Sequence, residues 1–349
     1  MLTKMKYFLP LIFSFLIISS CKKSGGTGGI NNTPVDTTTN TSFFAKGADV
    51  SWVTQMESQG IKFYNKAGVQ QDLFQLLKDG GMSSIRLRVW VNPTDGWCNT
   101  ADVVAKALRA KALGLKILID FHYSDSWADP GKQTKPLAWQ NQNISQLVTS
   151  VYTHTSSVLN TLKSNGISPD WVQVGNETNN GMLWPEGKAS VNMANFATLI
   201  NSGYDAVKSV FPSAKVIVHI SNGFDNSLFR WIFDGLKNNN AKWDVIGMSL
   251  YPSSNNWAQL NSQCLSNMND MISRYNKEVM ICEVGMNVDD SLVCKNFILD
   301  LIQKSKSIAN NKCLGVFYWE PECYANWNGY QLGAFNSDGR PTAALDAFY

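Results

Sequence analysis

The chain has 349 residues, of which 44% are hydrophobic and 16% charged, with a formal net charge of +3. That is enough apolar material for one large core, or for two smaller domains. No long basic run is interleaved with aromatics, so nucleic acid is excluded as a partner.

The N-terminus reads as a targeting segment. Lys4 and Lys6 precede an apolar stretch, Tyr7 to Ile18, that is too short for a membrane span of ~20 residues. Ile18-Ser19-Ser20-Cys21 follows and resembles a bacterial lipobox, which makes 1–20 a lipoprotein signal peptide and Cys21 the lipidated residue. An ordinary signal peptide beside a free Cys is the alternative. Residues 21–42 are rich in Gly, Thr, Asn and Ser and read as a flexible tether. The expected localisation is extracytoplasmic, on the outer membrane or cell surface, with the membrane as a partner through the lipid. Lys22-Lys23 offers no acidic residue after the lipid Cys, which favours the outer membrane.

From Phe43 to Tyr349 short apolar runs alternate with helical stretches. The strands are expected at Ala45–Ser51, Ser84–Val91, Lys116–Phe121, Trp171–Gly175, Lys215–Ile220, Val245–Leu250, Glu278–Glu283 and Leu314–Trp319. Helices are expected at Gln70–Lys78, Thr100–Ala112, Ile144–Lys163, Met193–Val210, Ser227–Leu236, Leu260–Tyr275, Ser291–Ile308 and near Ala343–Phe348, on helical apolar spacing such as Leu73, Leu76 and Leu77. Eight βα units predict a single (β/α)8 TIM barrel, an α/β fold, over 43–349. An open dinucleotide-binding sheet needs a Gly-rich turn after the first strand; Asp49-Val50-Ser51-Trp52 stands there instead. Six further cysteines, Cys98, Cys264, Cys282, Cys294, Cys313 and Cys323, show no zinc spacing, and no pairing is assigned; Cys282, inside an apolar run, is expected buried and inert.

Barrel active sites lie at the C-terminal strand ends. Those ends carry Arg86 and Arg88, then His122 and Asp125, Asn176-Glu177, Tyr251, Glu283 and Trp319. Two carboxyls at ends four and seven suit a retaining glycosidase, which needs them ~5–5.5 Å apart. Glu177 is expected as acid/base and Glu283 as nucleophile. Either arginine could pair with Glu283, and Tyr251 could donate to it. Asn176 could meet a sugar hydroxyl, and Trp319 could floor the ring. Each residue alone has a plainer reading, a rim salt bridge or core packing; the conjunction carries the inference.

Lys46 to Ser51, Arg86-Leu87-Arg88-Val89-Trp90, Asp120 to Asp125 with Trp127 to Pro130, Val174 to Glu177 with Gly181 to Pro185, and Phe317 to Pro321 together resemble glycoside hydrolase family 53, of clan A. The resemblance spans Phe43 to Tyr349. It implies a retaining endo-β-1,4-galactanase acting on (arabino)galactan, a pectic side chain. It implies catalytic Glu177 and Glu283, and substrate binding by Asp49, Arg88, Trp90, His122, Asp125, Asn176, Trp184, Tyr251 and Trp319. No cofactor is required for such acid/base displacement. Structural Ca²⁺ is known in bacterial relatives; here Met286 to Asp290 is short, with adjacent rather than alternating acids, and calcium is not favoured. The expected partner is polysaccharide, and the expected state a monomer. Another clan A specificity, mannanase or endoglucanase, and a non-catalytic glycan-binding lipoprotein are the alternatives.

Overall fold

The computed structural model describes residues 43–349, so the expected signal peptide, the expected lipidation site Cys21 and the expected tether lie outside the described residues. Eight parallel strands close into one barrel in chain order. They are β1 (Ala45–Asp49), β2 (Ser84–Val89), β3 (Lys116–Phe121), β4 (Trp171–Val174), β5 (Lys215–Ile220), β6 (Val245–Leu250), β7 (Glu278–Val284) and β8 (Cys313–Trp319). The helices are α1 (Val53–Ser58), α2 (Leu73–Asp79), α3 (Thr100–Ala112), α4 (Ile144–Ser164), α5 (Met193–Val210), α6 (Asn226–Asn238), α7 (Trp257–Tyr275) and α8 (Ser291–Lys306). The expected (β/α)8 architecture is therefore observed, with two differences. Helix α1 is too short to show a period in sequence. The last helical stretch, Ala343–Phe348, is a 3₁₀ helix.

Local chemistry sets the element ends. Asp72, Asn99, Asn143, Asn192 and Asp225 each accept a hydrogen bond from a first-turn backbone N–H. Strand β1 stops two residues early because the Asp49 carboxylate captures the Ser51 N–H at 3.0 Å. Strand β4 stops at Val174 because Gly175 turns to φ +82°.

One shell of apolar side chains fills the space between barrel and helices. A smaller plug of Ala45, Leu118, Trp171, Ile217, Val245, Met280, Cys282, Leu314 and Phe317 lies inside the barrel. It is built from the starts and middles of the strands. Further along the same inward faces come Asp49, Arg86, Arg88, Asp120, Gln173, His219 and Ser249, all fully buried. The barrel interior is apolar at one end and ionic at the end that carries the site. All six described cysteines are buried free thiols. Burial pushes Cys313 up to about 11 and Cys294 up to about 12, which makes both unreactive at neutral pH.

Candidate active site

Arg86 is the centre of the ionic layer. Its Nη1 donates to Asp49 Oδ2 at 2.7 Å, and its Nη2 lies 2.9 Å from Asp120 Oδ2 and 2.8 Å from Glu283 Oε1. Gln173 Oε1 and Asn176 Oδ1 lie 3.1 and 3.0 Å from the same Nη2. One buried cation thus faces three carboxyl groups, and its pairing is what makes their burial tolerable.

Glu283 reaches this layer through a bulge. Strand alternation that points Met280 inward would point Glu283 outward, toward the helices. The β6–β7 register runs Met248 to Ile281, then Ser249 to Glu283, so β7 holds one extra residue at Cys282. Such a bulge flips the phase of the strand and re-aims the next side chain. Glu283 then meets Arg86 and also accepts a 2.9 Å hydrogen bond from the Tyr251 hydroxyl. The Tyr251 ring stays partly open to the cleft.

Glu177 follows β4 in a left-handed conformation, φ +44°. That region is costly for a side-chain-bearing residue and marks sites where orientation matters more than local strain. Its Oε1 accepts from the Ser249 hydroxyl at 2.8 Å. Single carboxylate oxygens of Glu177 and Glu283 and a ring nitrogen of His219 lie within 4.8 Å of one another. That separation is shorter than the spacing of about 6.5–9.5 Å that an inverting pair needs. It fits a nucleophile and an acid/base acting on one anomeric carbon.

Two carboxyls so close share charge poorly. Burial raises Glu177, against the pull of the Ser249 hydrogen bond and Arg86. Burial also raises Glu283, with Arg86 as its largest opposing influence. The contacts decide where the shared proton sits. Glu283 touches a guanidinium and a phenol; Glu177 touches one hydroxyl. The negative charge therefore belongs on Glu283 and the proton on Glu177.

The cleft above them has a volume of about 260 Å³, and its lining includes His122, Trp127, Asn176, Tyr251, Trp319 and Tyr330. Trp319 packs edge-on against Trp52, Trp127 and Tyr330, at ring separations of 5.4, 5.8 and 4.9 Å. These rings form an apolar wall suited to a sugar face.

The residues expected to bind substrate fall in different layers. His122, Asn176, Tyr251 and Trp319 line the cleft together with Glu177 and Glu283. Asn176 spends one amide proton on Ala128 O at 2.9 Å and keeps the other. His122 Nδ1 faces the Ala128 N–H at 3.2 Å, and its Nε2 faces Asp120 at 3.0 Å. Burial lowers its pKa, so it is neutral. Asp49 sits a layer below, fully buried against Arg86 and Ser51.

Arg88 lies apart from the cleft. It faces inward as Arg86 does, but its guanidinium is buried, 2.9 Å from Glu320 and 4.1 Å from the Trp127 ring centroid. Trp90 and Trp52 lie at 4.9 and 5.6 Å. It holds the aromatic wall from behind and presents no donor to the cleft. Trp90 is buried in that same wall. Asp125 receives the Asn92 and Leu137 N–H groups, at 2.9 and 2.8 Å, and pins two loops. Trp184 donates its indole N–H to Asn180 O and lies outside the cleft lining.

Sequence reasoning missed His219, Gln173 and Tyr330, and passed Ser249 without a role. Only the inward parity of β4, β5 and β6 could have signalled the first, second and last. Among the described residues, Asp289 and Asp290 join no cluster of metal ligands. The one close grouping of carboxylates and imidazole is the acid pair with His219 beside it, and its atoms are engaged by Arg86, Tyr251 and Ser249.

The sequence model of Glycosyl hydrolase family 53 matches residues 45–295 and 289–348. A probable arabinogalactan endo-beta-1,4-galactanase A of Neosartorya fischeri is 36% identical over 303 residues, covering 80% of this chain and 85% of its own. The arabinogalactan endo-beta-1,4-galactanase of Thermothelomyces thermophilus is 33% identical, covering 87% and 98%. Among solved structures, a fungal beta-1,4-galactanase superposes with a TM-score of 0.80 at 33% identity, covering 86% of this chain and 98% of its own.

Proposed function

This chain belongs to glycosyl hydrolase family 53, and from that premise we propose that it cuts internal β-1,4-galactosidic bonds in (arabino)galactan with retention of configuration. The observation that carries the reaction type is the closeness of Glu177 and Glu283, within 4.8 Å across one cleft. The relatives' shared galactanase activity supports the substrate.

Galactan lies along the cleft with one ring against Trp319. Glu283, ionised beside Arg86, attacks the anomeric carbon. Glu177 gives its proton to the departing glycosidic oxygen. A galactosyl–enzyme ester forms on Glu283, and the leaving chain carries away the proton. Glu177, now ionised, takes a proton from a water that attacks the same carbon. The ester breaks, Glu283 returns to carboxylate, and Glu177 is again an acid. As charge leaves Glu283 in the first step, its partners Arg86 and Tyr251 stay fixed, so no reorganisation is needed.

We further read the chain as a lipoprotein anchored through Cys21, extracytoplasmic and on the outer membrane or cell surface, with residues 21–42 as tether. The apolar segment, the Ile18-Ser19-Ser20-Cys21 run and the composition of the tether support this. The catalytic domain works as a monomer, since one chain supplies both carboxyls and the cleft.

Reducing-sugar release from β-1,4-galactan tests the activity, with β-1,4-mannan and carboxymethylcellulose in parallel. A ladder of oligomers from galactan alone is expected. Release from a control instead would keep the acid pair and overturn the substrate. No release from any would favour a glycan-binding role.

A further inference from the structure

Strand β6 and the residue that follows it send one hydroxyl to each catalytic carboxyl. Ser249 and Tyr251 are two residues apart and share a face; Tyr251 donates to Glu283 and Ser249 to Glu177. Behind Ser249 lies His219, on the neighbouring strand β5, with its Nε2 2.8 Å from the Ser249 hydroxyl oxygen. His219 is fully buried.

The tautomer of His219 follows from what points at its other nitrogen. The backbone N–H of Glu177 is directed at Nδ1 at 3.4 Å, and the Gln173 side-chain amide lies 3.0 Å from it. A backbone N–H can only donate, so Nδ1 accepts. Neutral imidazole then carries its proton on Nε2. Asn176 Oδ1, also 3.0 Å from Nδ1, already faces Arg86 and Gln173 and does not require an Nδ1 proton. Burial and the nearby Arg86 keep the ring neutral.

The direction of the chain is now set. His219 Nε2–H donates to the Ser249 oxygen, so the Ser249 proton is free to point only at Glu177 Oε1. Oε1 is therefore an acceptor in both protonation states of Glu177.

We propose that His219 and Ser249 are positioning residues that confine the catalytic proton of Glu177 to Oε2 and set the pH at which it is lost. The inference rests on the assignment of Glu177 as acid/base. The other charged and titratable groups facing Glu177 are Arg86, Asp120, Asp129, Glu283 and Tyr251, whose hydroxyl is given to Glu283. None of them donates a hydrogen bond to it. Ser249 is the one donor that favours its ionised form, so removing the hydroxyl raises the pH at which Glu177 loses its proton.

The test is the pH profile of kcat/KM on β-1,4-galactan for five full chains: wild type, Ser249→Ala, Ser249→Thr, His219→Phe and Glu177→Gln. Circular dichroism and Tm report folding. Ser249→Ala is expected to move the basic limb upward by about one pH unit, as loss of one hydrogen bond to a carboxylate does. Ser249→Thr, which keeps the hydroxyl, is expected to restore the wild-type limb. His219→Phe, which frees the Ser249 hydroxyl to turn away, is expected to shift the limb in the same direction by less. A Ser249→Ala limb that coincides with wild type, or moves down, overturns the proposal while Glu177→Gln still abolishes the limb. If Glu177→Gln itself leaves the limb in place, the assignment of Glu177 fails instead.

Discussion

Glu283 is deeply buried, yet it must be ionised to attack carbon. Desolvation alone favours its protonated form. Arg86 and Tyr251 oppose that preference by direct contact, at 2.8 and 2.9 Å. The same arginine also holds Asp49 and Asp120. This division has a consequence for mutants. Removing Glu283 leaves Arg86 with two carboxylate partners, so no buried cation is orphaned. Glu283→Ala is expected to keep the fold, with Tm within a few degrees of wild type. Its turnover on galactan is expected to fall on the order of 10⁴-fold or more, as loss of a nucleophile does. Reducing-end release and Tm on the same preparation check both halves. Activity near wild type would remove Glu283 from the reaction.

At the scale of elements, the strands were legible in sequence because each is a short apolar run bounded by polar turns. Helices were legible where they were long enough to repeat, and α1, with six residues, was not. The carboxylates at ends four and seven were legible because barrels place chemistry there. Depth along an inward face was not. Arg86 and Arg88 share that face, and only the packed barrel tells which one reaches Glu283. The β7 bulge was also hidden, since it is defined by register against β6 and not by any residue of β7 itself. His219 was overlooked because strand five ends without a carboxylate. The plug at the far end was equally unreadable, because it depends on how β8 meets β1. Gly47 pairs in register with Phe317, and a Cβ at 47 would lie 2.3 Å from the Phe317 ring. That ring packs edge-on against Trp171 at 6.3 Å, so it cannot retreat freely. Gly47→Ala is expected to lower stability by about 1–3 kcal/mol through overpacking. Denaturant unfolding checks it, and a variant as stable as wild type would show that the plug has slack.

Across the whole molecule, the apolar shell supplies stability and the ionic end of the barrel spends some of it. Glu320 and Glu322 show how. Both are fully buried beside β8. Glu320 faces Arg88 at 2.9 Å and accepts the Trp52 N–H at 3.1 Å, so it carries the charge. Among the described residues the Glu322 carboxyl finds neither a donor nor a cation, and it lies within reach of the Glu320 charge. Burial, then the charge on Glu320, holds Glu322 protonated well above the usual carboxylate range. In the unfolded chain a Glu loses its proton near pH ~4.3. Above that pH the folded state binds more protons than the unfolded state. The Glu322 contribution to stability is therefore intact below pH ~4.3 and declines as pH rises toward its folded pKa, by up to about 1.4 kcal/mol per pH unit. Gln at 322 matches the shape of the protonated acid and cannot ionise in either state. Glu322→Gln is expected to match wild type near pH 4 and to exceed it by about 1–3 kcal/mol at pH 7. Denaturant unfolding of both chains at pH 4, 5.5 and 7 measures the difference. A gain that is flat with pH would mean that Glu322 ionises in the folded protein as it does in the unfolded one, and that Arg88 alone balances two charges.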